Sequence, residues 1–388
     1  VNHSPLPSPW FREFEKARFL ERPNRFLIRC RTEEGERTAF LPNPGRLLEL
    51  LLPGRTVFLV RDGWKRERAH PYTVIAVERE GLPIMLHTHR TNAVAAYLLE
   101  TGRVPGLEGA RVLAKEVPVG HSRFDLLVRH RGGELLIEVK SCTLFGKRLA
   151  MFPDAVTARG TRHLQELADL SDKGRPTGVL FVVHWPRAEF FLPDYHTDPL
   201  FARTMLAVKE KVRFFPVAVA WRKDLTLAPE TRLLAIPWEI LKREGADRGS
   251  YLLLLRLEEG KWIVVGRQGP QFFPAGYYVY VGSAAQGLTA RLKRHRRLRK
   301  KRHWHIDYLR QEAQVKALLP IRASERLECS LAAALAKIAE WTVPGFGCSD
   351  CSCQSHLFGL RDDPLKHEAF IAMLLHFRMD RLFPSPLD

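Results

Sequence analysis

Residues 122–141 read SRFDLLVRHRGGELLIEVKS, and this stretch constrains the chain more than any other. Two apolar runs flank Arg131 and Gly132, the pattern of a tight hairpin between antiparallel strands. Side chains alternate faces along a strand. Glu138 and Lys140 therefore share a face with Leu136, while Leu135, Ile137 and Val139 take the other. A hairpin centred on Arg131 and Gly132 sets Asp125 opposite Glu138. Two like charges facing across a strand pair are destabilising on their own, but a divalent cation between them turns the arrangement into a site. Magnesium takes a few carboxylate oxygens together with waters and a substrate phosphate. Lys140, on the same face, would hold or activate the attacking water, or stabilise charge in the transition state. The plainer alternative is a solvated hairpin face with an ordinary Glu/Lys pair.

The chain has 388 residues, more than one ordinary domain, so two or three are expected. Its formal net charge is +18, and both the first 248 residues and the remainder carry excess Lys and Arg. A surface of this sign favours a polyanion, most simply nucleic acid, with DNA ahead of RNA as the partner. No uncharged apolar run is long enough to span a bilayer, so no membrane partner is expected. The first residues, VNHSPLPSPWFREFEK, lack an apolar core followed by a small-residue cleavage site. Six cysteines are too few for a disulfide framework, and a reducing, cytoplasmic location is the expectation.

Residues 1–86 alternate short apolar runs with turn signals. RFLIRC, RTAFL, TVFLV and YTVIAV read as strands, separated by PNPGR, RDG and REG turns. Several short strands in a small basic unit predict a β-barrel of the oligonucleotide-binding (OB) type. Residues 87–240 mix helices (91–102, 154–170 and near 199–211) with strands (124–128, 134–139, 179–183 and 217–220), an α/β domain. Residues 241–249, LKREGADRG, read as a linker. Residues 249–388 begin a third domain, with strands at 251–257 and 277–281 and helices at 287–297 and 330–339.

The order Asp, about a dozen residues, then Glu-x-Lys resembles the PD-(D/E)XK nuclease superfamily. The stretches RPNRFL, FLPNPGRLLELL, TNAVAAYLLE, ELLIEVKSCTL and MFPDAVTARGTRHLQEL resemble the sugar fermentation stimulation protein A (SfsA) family as far as about Trp238. That resemblance implies an OB-fold domain, then a PD-(D/E)XK-like domain, and DNA binding. By the same resemblance Asp125, Glu138 and Lys140 fill the nuclease motif, with Arg123, Arg159 and His163 near it as contacts to nucleic acid. Arg159 and His163 are four apart, on one helix face. Glu100 could add an acidic ligand or simply be a helix-surface charge.

A second constellation lies downstream. GSYLLLL and YVYVGSA, followed by GLTARLKRH, resemble the GIY-YIG nuclease superfamily, and more closely the GIY-YIG-related domain fused to some SfsA-like proteins. The resemblance implies an α+β domain with Tyr251, Tyr280, Arg291 and the metal-binding Glu328 as its site. A tyrosine would assist proton removal from water, an arginine would steady the phosphate, and an acid would hold one magnesium ion. The gap between the two tyrosine motifs is longer than is usual in that superfamily. Residues 291–303 contain nine Lys or Arg. Lys293, Arg294, His295, Arg296 and Arg297 in this tract are read as backbone contacts to nucleic acid, which position without specifying sequence.

The segment GFGCSDCSCQSH places Cys348, Cys351, Cys353 and His356 close together, with Cys329 elsewhere. Thiolates and an imidazole suit a structural zinc; the fourth ligand is Cys348 or Cys329, and reduced, unligated thiols are the alternative. Taken together, the sequence predicts a nucleic-acid-binding protein with one or two phosphodiesterase sites dependent on magnesium or manganese. A non-catalytic DNA-binding regulator of sugar metabolism, built on nuclease folds, is the reading of a different class.

Overall fold

The computed structural model describes residues 10, 11, 13–61, 70–120, 122–299 and 301–384. They divide into two compact units, Val1–Trp238 and Glu239–Asp388. Among the described residues no helix is long and apolar enough to cross a membrane.

The first unit opens with β1 (Glu15–Asn24), β2 (Leu27–Thr32), β3 (Gly35–Phe40), β4 (Thr56–Arg61), β5 (Tyr72–Arg79) and β6 (Leu82–Met85), in the order β3-β2-β1-β4-β5-β6. A parallel pairing of β3 with β5 closes five of these strands into the OB barrel, and closure removes exposed strand edges. β1 is an addition to the expected strands: its Ala17 and Phe19 alternate into the core with the exposed Lys16 and Arg18. Asp62 and Gly63 of the expected RDG turn lie outside the described residues, as does Lys300 of the basic tract.

The chain continues through α1 (Thr91–Glu100), β7 (Arg111–Val119), β8 (Ser122–His130), β9 (Gly133–Cys142), β10 (Leu144–Phe145), β11 (Leu149–Phe152) and α2 (Ala158–Asp172). β12 (Thr177–Val183), β13 (Phe190–Pro193), α3 (Pro199–Ala207), β14 (Val212–Trp221) and β15 (Leu227–Leu233) complete the unit. The main sheet runs β15-β14-β12-β9-β8-β7. β9, β12 and β14 are parallel; β8 and β7 continue antiparallel. β9 is thus an interior strand, and its charged residues cannot belong to a solvated edge. The β8–β9 turn has positive φ at both Arg131 (52°) and Gly132 (78°), the twist that suits a two-residue hairpin.

The two faces of β9 separate as the alternation predicts. Leu135, Ile137 and Val139 pack with Val94, Ala95 and Leu98 of α1. Leu136 joins a core of Ile28, Val57 and Val74 from the barrel and Leu164 and Leu167 from α2. Each buried aliphatic contributes about 1.5–3 kcal/mol relative to exposure, and a one-residue slip would exchange the faces, so packing fixes the register. At the start of α2 the Thr157 hydroxyl accepts from Gly160 N–H at 3.0 Å. Asp198, which caps α3, also accepts from Thr157 N–H at 2.8 Å.

The second unit holds α4 (Trp238–Glu244), β16 (Gly249–Leu257), β17 (Lys261–Val264), β18 (Pro270–Phe273), β19 (Gly276–Ala284), α5 (Leu288–Arg296) and α6 (His305–Glu312). It ends with β20 (Gln314–Arg322), α7 (Glu328–Ala336), β21 (Trp341–Thr342), β22 (Leu357–Leu360) and α8 (Glu368–Arg378). Its sheet runs β20-β16-β19-β22-β21. Residues 241–249, expected as a linker, are built into this unit. Glu244 is buried and accepts from Arg381 and Ser324, both at 2.7 Å, and Asp247 accepts from Thr289 N–H at 3.0 Å. The acids of this stretch, Glu244 and Asp247, thus find partners from distant sequence.

Candidate metal and nucleic-acid sites

The register Leu126↔Ile137 and Leu127↔Leu136 brings Asp125 to the Glu138 end of the hairpin. Asp125 is held by two donors: Asn92 Nδ2 reaches Oδ1 and Val139 N–H reaches Oδ2, each at 2.7 Å. Glu138 is 3% exposed. Its Oε1 accepts from Lys140 Nζ and lies 2.6 Å from His163 Nδ1. Arg159 Nε donates to His163 Nε2 at 3.4 Å, which puts the imidazole proton on Nδ1, facing Glu138. Burial first, and then the charge of Glu138, push the Asp125 carboxyl up to about 6. Burial also pushes Glu138 upward, but the His163 hydrogen bond and the Lys140 ammonium outweigh it and hold that carboxyl below its usual range.

Asp125, Glu138 and Val139 line a cavity of about 530 Å³ that also takes Arg25, Asn43 and Gly45 from the barrel and Asn92, Lys140 and Arg159 from the α/β domain. It opens beyond the carboxyl end of β9, where parallel sheets place their ligand sites. Glu138 Oε2 is buried and has no hydrogen-bond partner among the described residues. A buried carboxylate oxygen without a partner is costly, and here it sits close to a second carboxyl. That is the donor set a hard divalent cation takes: oxygen ligands, two negative charges and room for waters and a phosphate. The residues fit the ion.

Two expectations are corrected. His163 was assigned to the nucleic-acid surface, yet it is 2% exposed and is consumed in holding Glu138. Arg123 was placed beside the motif, but it is exposed on β8 and does not line the cavity. Sequence reasoning missed Asn92. Glu100, at the other end of α1, is exposed and eight residues of helix, about 12 Å, from Asn92, so of its two readings the helix-surface charge holds.

In the second unit β16 pairs with β19 antiparallel, Tyr251 opposite Gly282 and Leu253 opposite Tyr280. The long gap between the tyrosine motifs is taken up by the separate β17–β18 hairpin. A Cβ on Gly282 would lie 2.4 Å from the Tyr251 ring, so glycine is what lets the phenol cross the partner strand. Tyr251 Oη and His295 Nε2 form a hydrogen bond of 2.7 Å. Tyr280 lies 6.4 Å, centroid to centroid, from Tyr251. Burial first, and then neighbouring Tyr280, raise the Tyr251 phenol well above its ordinary value, while Arg291 acts the other way. Burial and Glu328 likewise raise Tyr280. Both phenols are neutral at ordinary pH, donors rather than phenolates. The Ser283 hydroxyl donates to Glu328 Oε2.

The structure thus brings Tyr251, Tyr280, Arg291 and Glu328 together and separates the basic tract by role. His295, expected at the nucleic-acid surface, is fully buried. Arg294 is bound to Asp307 at 2.7 Å. Arg291 and Arg294 both stack on Trp304, at 4.4 and 4.2 Å from its ring centre. Lys293, Arg296 and Arg297 are exposed. Among the cysteines, the ligand atoms of Cys329, Cys351, Cys353 and His356 lie within 4.8 Å of one another. Cys348 is not in that group, so of the two candidates for the fourth ligand the geometry takes Cys329 and drops Cys348.

Comparison with known proteins matches three stretches of the chain. Residues 20–86 match the SfsA N-terminal OB domain, residues 89–224 the sugar fermentation stimulation protein RE domain, and residues 250–379 a domain of unknown function, DUF123. A sugar fermentation stimulation protein homolog of Methanothermobacter thermautotrophicus is 35% identical over 225 residues, 58% of this chain and 93% of the relative. The homolog of Moorella thermoacetica is 40% identical over 191 residues, 49% of this chain and 82% of the relative. The solved structure of Pyrococcus furiosus SfsA in complex with Ca2+ aligns with a TM-score of 0.53 and 28% identity, covering 58% of this chain and 96% of that one.

Proposed function

The chain belongs to the sugar fermentation stimulation protein family, and from there we propose that its first unit binds nucleic acid and hydrolyses phosphodiester bonds with magnesium or manganese. One observation supports this above the rest: the unpartnered, buried Glu138 Oε2 beside Asp125, in a cavity that also presents Lys140 and Arg159. The Pyrococcus furiosus relative was solved with Ca2+, a hard cation of the same preference for oxygen. Asp125 and Glu138 would hold the ion, which when bound supplies charge neutralisation at the phosphate and a more acidic water.

The chain's own groups do the rest. Asn92 and the Val139 amide fix Asp125, and His163 fixes Glu138, so the two acids stay in place without a ligand. Lys140 Nζ, at the rim of the cavity, orients water or steadies developing negative charge. Arg159 and Arg25 contact phosphate oxygens. The OB barrel and the exposed Lys and Arg supply salt-dependent backbone binding.

Incubation with labelled single- and double-stranded DNA and RNA plus magnesium or manganese tests the reading. Cleavage is expected, falling at least about 100-fold in Glu138→Gln, the scale of losing one preorganised charge-stabilising group. Cleavage unaffected by both Asp125→Ala and Glu138→Ala removes this site. Salt-sensitive binding with no cleavage under any metal supports the regulator instead, and no binding at low salt contradicts both.

The second unit supports a second site of GIY-YIG-like character, because Tyr251, Tyr280, Arg291 and Glu328 are close neighbours around β16 and β19. Residual cleavage by Glu138→Gln that is lost on adding Tyr251→Phe, Arg291→Ala or Glu328→Gln would support it; residual cleavage insensitive to all three would remove it.

A further inference from the structure

We infer that the second unit carries a structural zinc bound by Cys329, Cys351, Cys353 and His356, and that this zinc fastens Glu328 through the other nitrogen of His356. The four ligand atoms lie within 4.8 Å of one another. A tetrahedral zinc, with bonds of about 2.3 Å to sulfur and about 2.0–2.1 Å to nitrogen, requires S···N edges of about 3.6 Å. The Cys351 Sγ to His356 Nε2 separation is 3.4 Å. Three thiols and an imidazole are a soft set that selects zinc over magnesium or calcium, and four protein ligands close the sphere.

The ligands come from two places in the chain. Cys329 is the second residue of α7. Cys351 and Cys353 lie in the loop before β22, and His356 immediately precedes that strand. His356 is the anchored member: it is 1% exposed, its N–H donates to Phe346 O at 2.8 Å, and its O accepts from Val281 N–H of β19 at 2.9 Å. The metal therefore ties the first turn of α7 to the central sheet.

The consequence concerns Glu328, the residue before Cys329. With Nε2 turned towards the thiols, His356 Nδ1 lies 3.5 Å from Glu328 Oε1. Metal-bound histidines commonly give their second nitrogen to a carboxylate, which fixes the ring and raises its strength as a ligand. The Ser283 hydroxyl holds one oxygen of Glu328, and His356 Nδ1 faces the other at ion-pair distance. His356 and Cys329 are positioning residues for this acid, and the assignment holds whether or not the second unit cleaves anything.

The test uses the full chain purified without chelators. Elemental analysis is expected to find stoichiometric zinc. Peptide-resolved alkylation should find Cys329 protected, although it is exposed in the fold, while Cys348 reacts; removing the metal should make Cys329 reactive. Glu328→Gln should keep the zinc but release it to a competing chelator about 10- to 100-fold more readily, the usual loss of an outer-shell partner. A folded chain without zinc, or with iron in its place, overturns the site. Protection of Cys348 instead of Cys329 overturns the ligand assignment, and unchanged zinc affinity in Glu328→Gln overturns the link to the acid.

Discussion

The carboxylate of Asp125 accepts the backbone N–H of Val139, the residue between Glu138 and Lys140, at 2.7 Å. One acid of the site is therefore stitched into the strand that carries the other acid and the lysine. The bond explains how two carboxyls stay close in a largely buried cavity without a ligand: the backbone amide and Asn92 offset part of their repulsion. It also couples site geometry to strand pairing, so substitutions at Asp125 separate charge from structure.

Asp125→Asn keeps an oxygen for Val139 N–H, lets Asn92 turn its amide to accept from the new NH2, and removes the charge. It is expected to fold with near wild-type stability while losing divalent-cation affinity. Asp125→Ala leaves the amide and Asn92 without their partner, and should cost about 1–3 kcal/mol in denaturant unfolding. Equal destabilisation by both variants would contradict this division of roles.

His184 gives the first unit an acid-sensitive core. Trp221 Nε1 donates to its Nδ1 at 3.1 Å, and Ser141 Oγ lies 3.2 Å from its Nε2. A proton on Nδ1 would confront the tryptophan N–H, and burial lowers the pKa from 6.5 to about 3. The unfolded chain binds this proton first, so stability is present above about 6.5 and is lost as pH falls towards 3, at about 1.4 kcal/mol per unit. Between pH 7 and pH 5 the wild type should lose about 2 kcal/mol more than His184→Gln in paired denaturation curves. Parallel losses would show that this histidine is not the sensor.

Gly282→Ala should destabilise the second unit by about 1–3 kcal/mol, the range for forcing added volume into a packed site, because its Cβ would meet the Tyr251 ring. In a Tyr251→Val background the same change should cost little, a coupling that a double-mutant cycle reads directly. Additive effects would show that the glycine serves something other than the tyrosine.

Local patterns announced much of this molecule. Period-two alternation marked β9 and its hairpin, and that was enough to pair Asp125 with Glu138. What escaped depended on tertiary contact. β20 contains Pro320, which argues against an interior strand, but β20 is an edge, where proline is tolerated. β7 buries little of its surface and so shows no apolar stripe. His163 and His295 sit on helices among arginines and read as surface, yet their burial is decided by β9 and β16 packing beneath them. Asn92 lies 33 residues before Asp125, and no local pattern links the two. Cys329 lies too far along the chain from Cys351 for spacing to couple them, and only the return of the loop before β22 to α7 brings the thiols together.

The central claim, that Asp125 and Glu138 share a divalent cation, is tested most directly by anomalous scattering from manganese-soaked crystals of the full chain, wild type and Glu138→Gln. The prediction is a manganese peak contacted by both carboxylates in the wild type and absent from the variant. A cavity without manganese in the wild type, or a peak that survives Glu138→Gln unchanged, would contradict it.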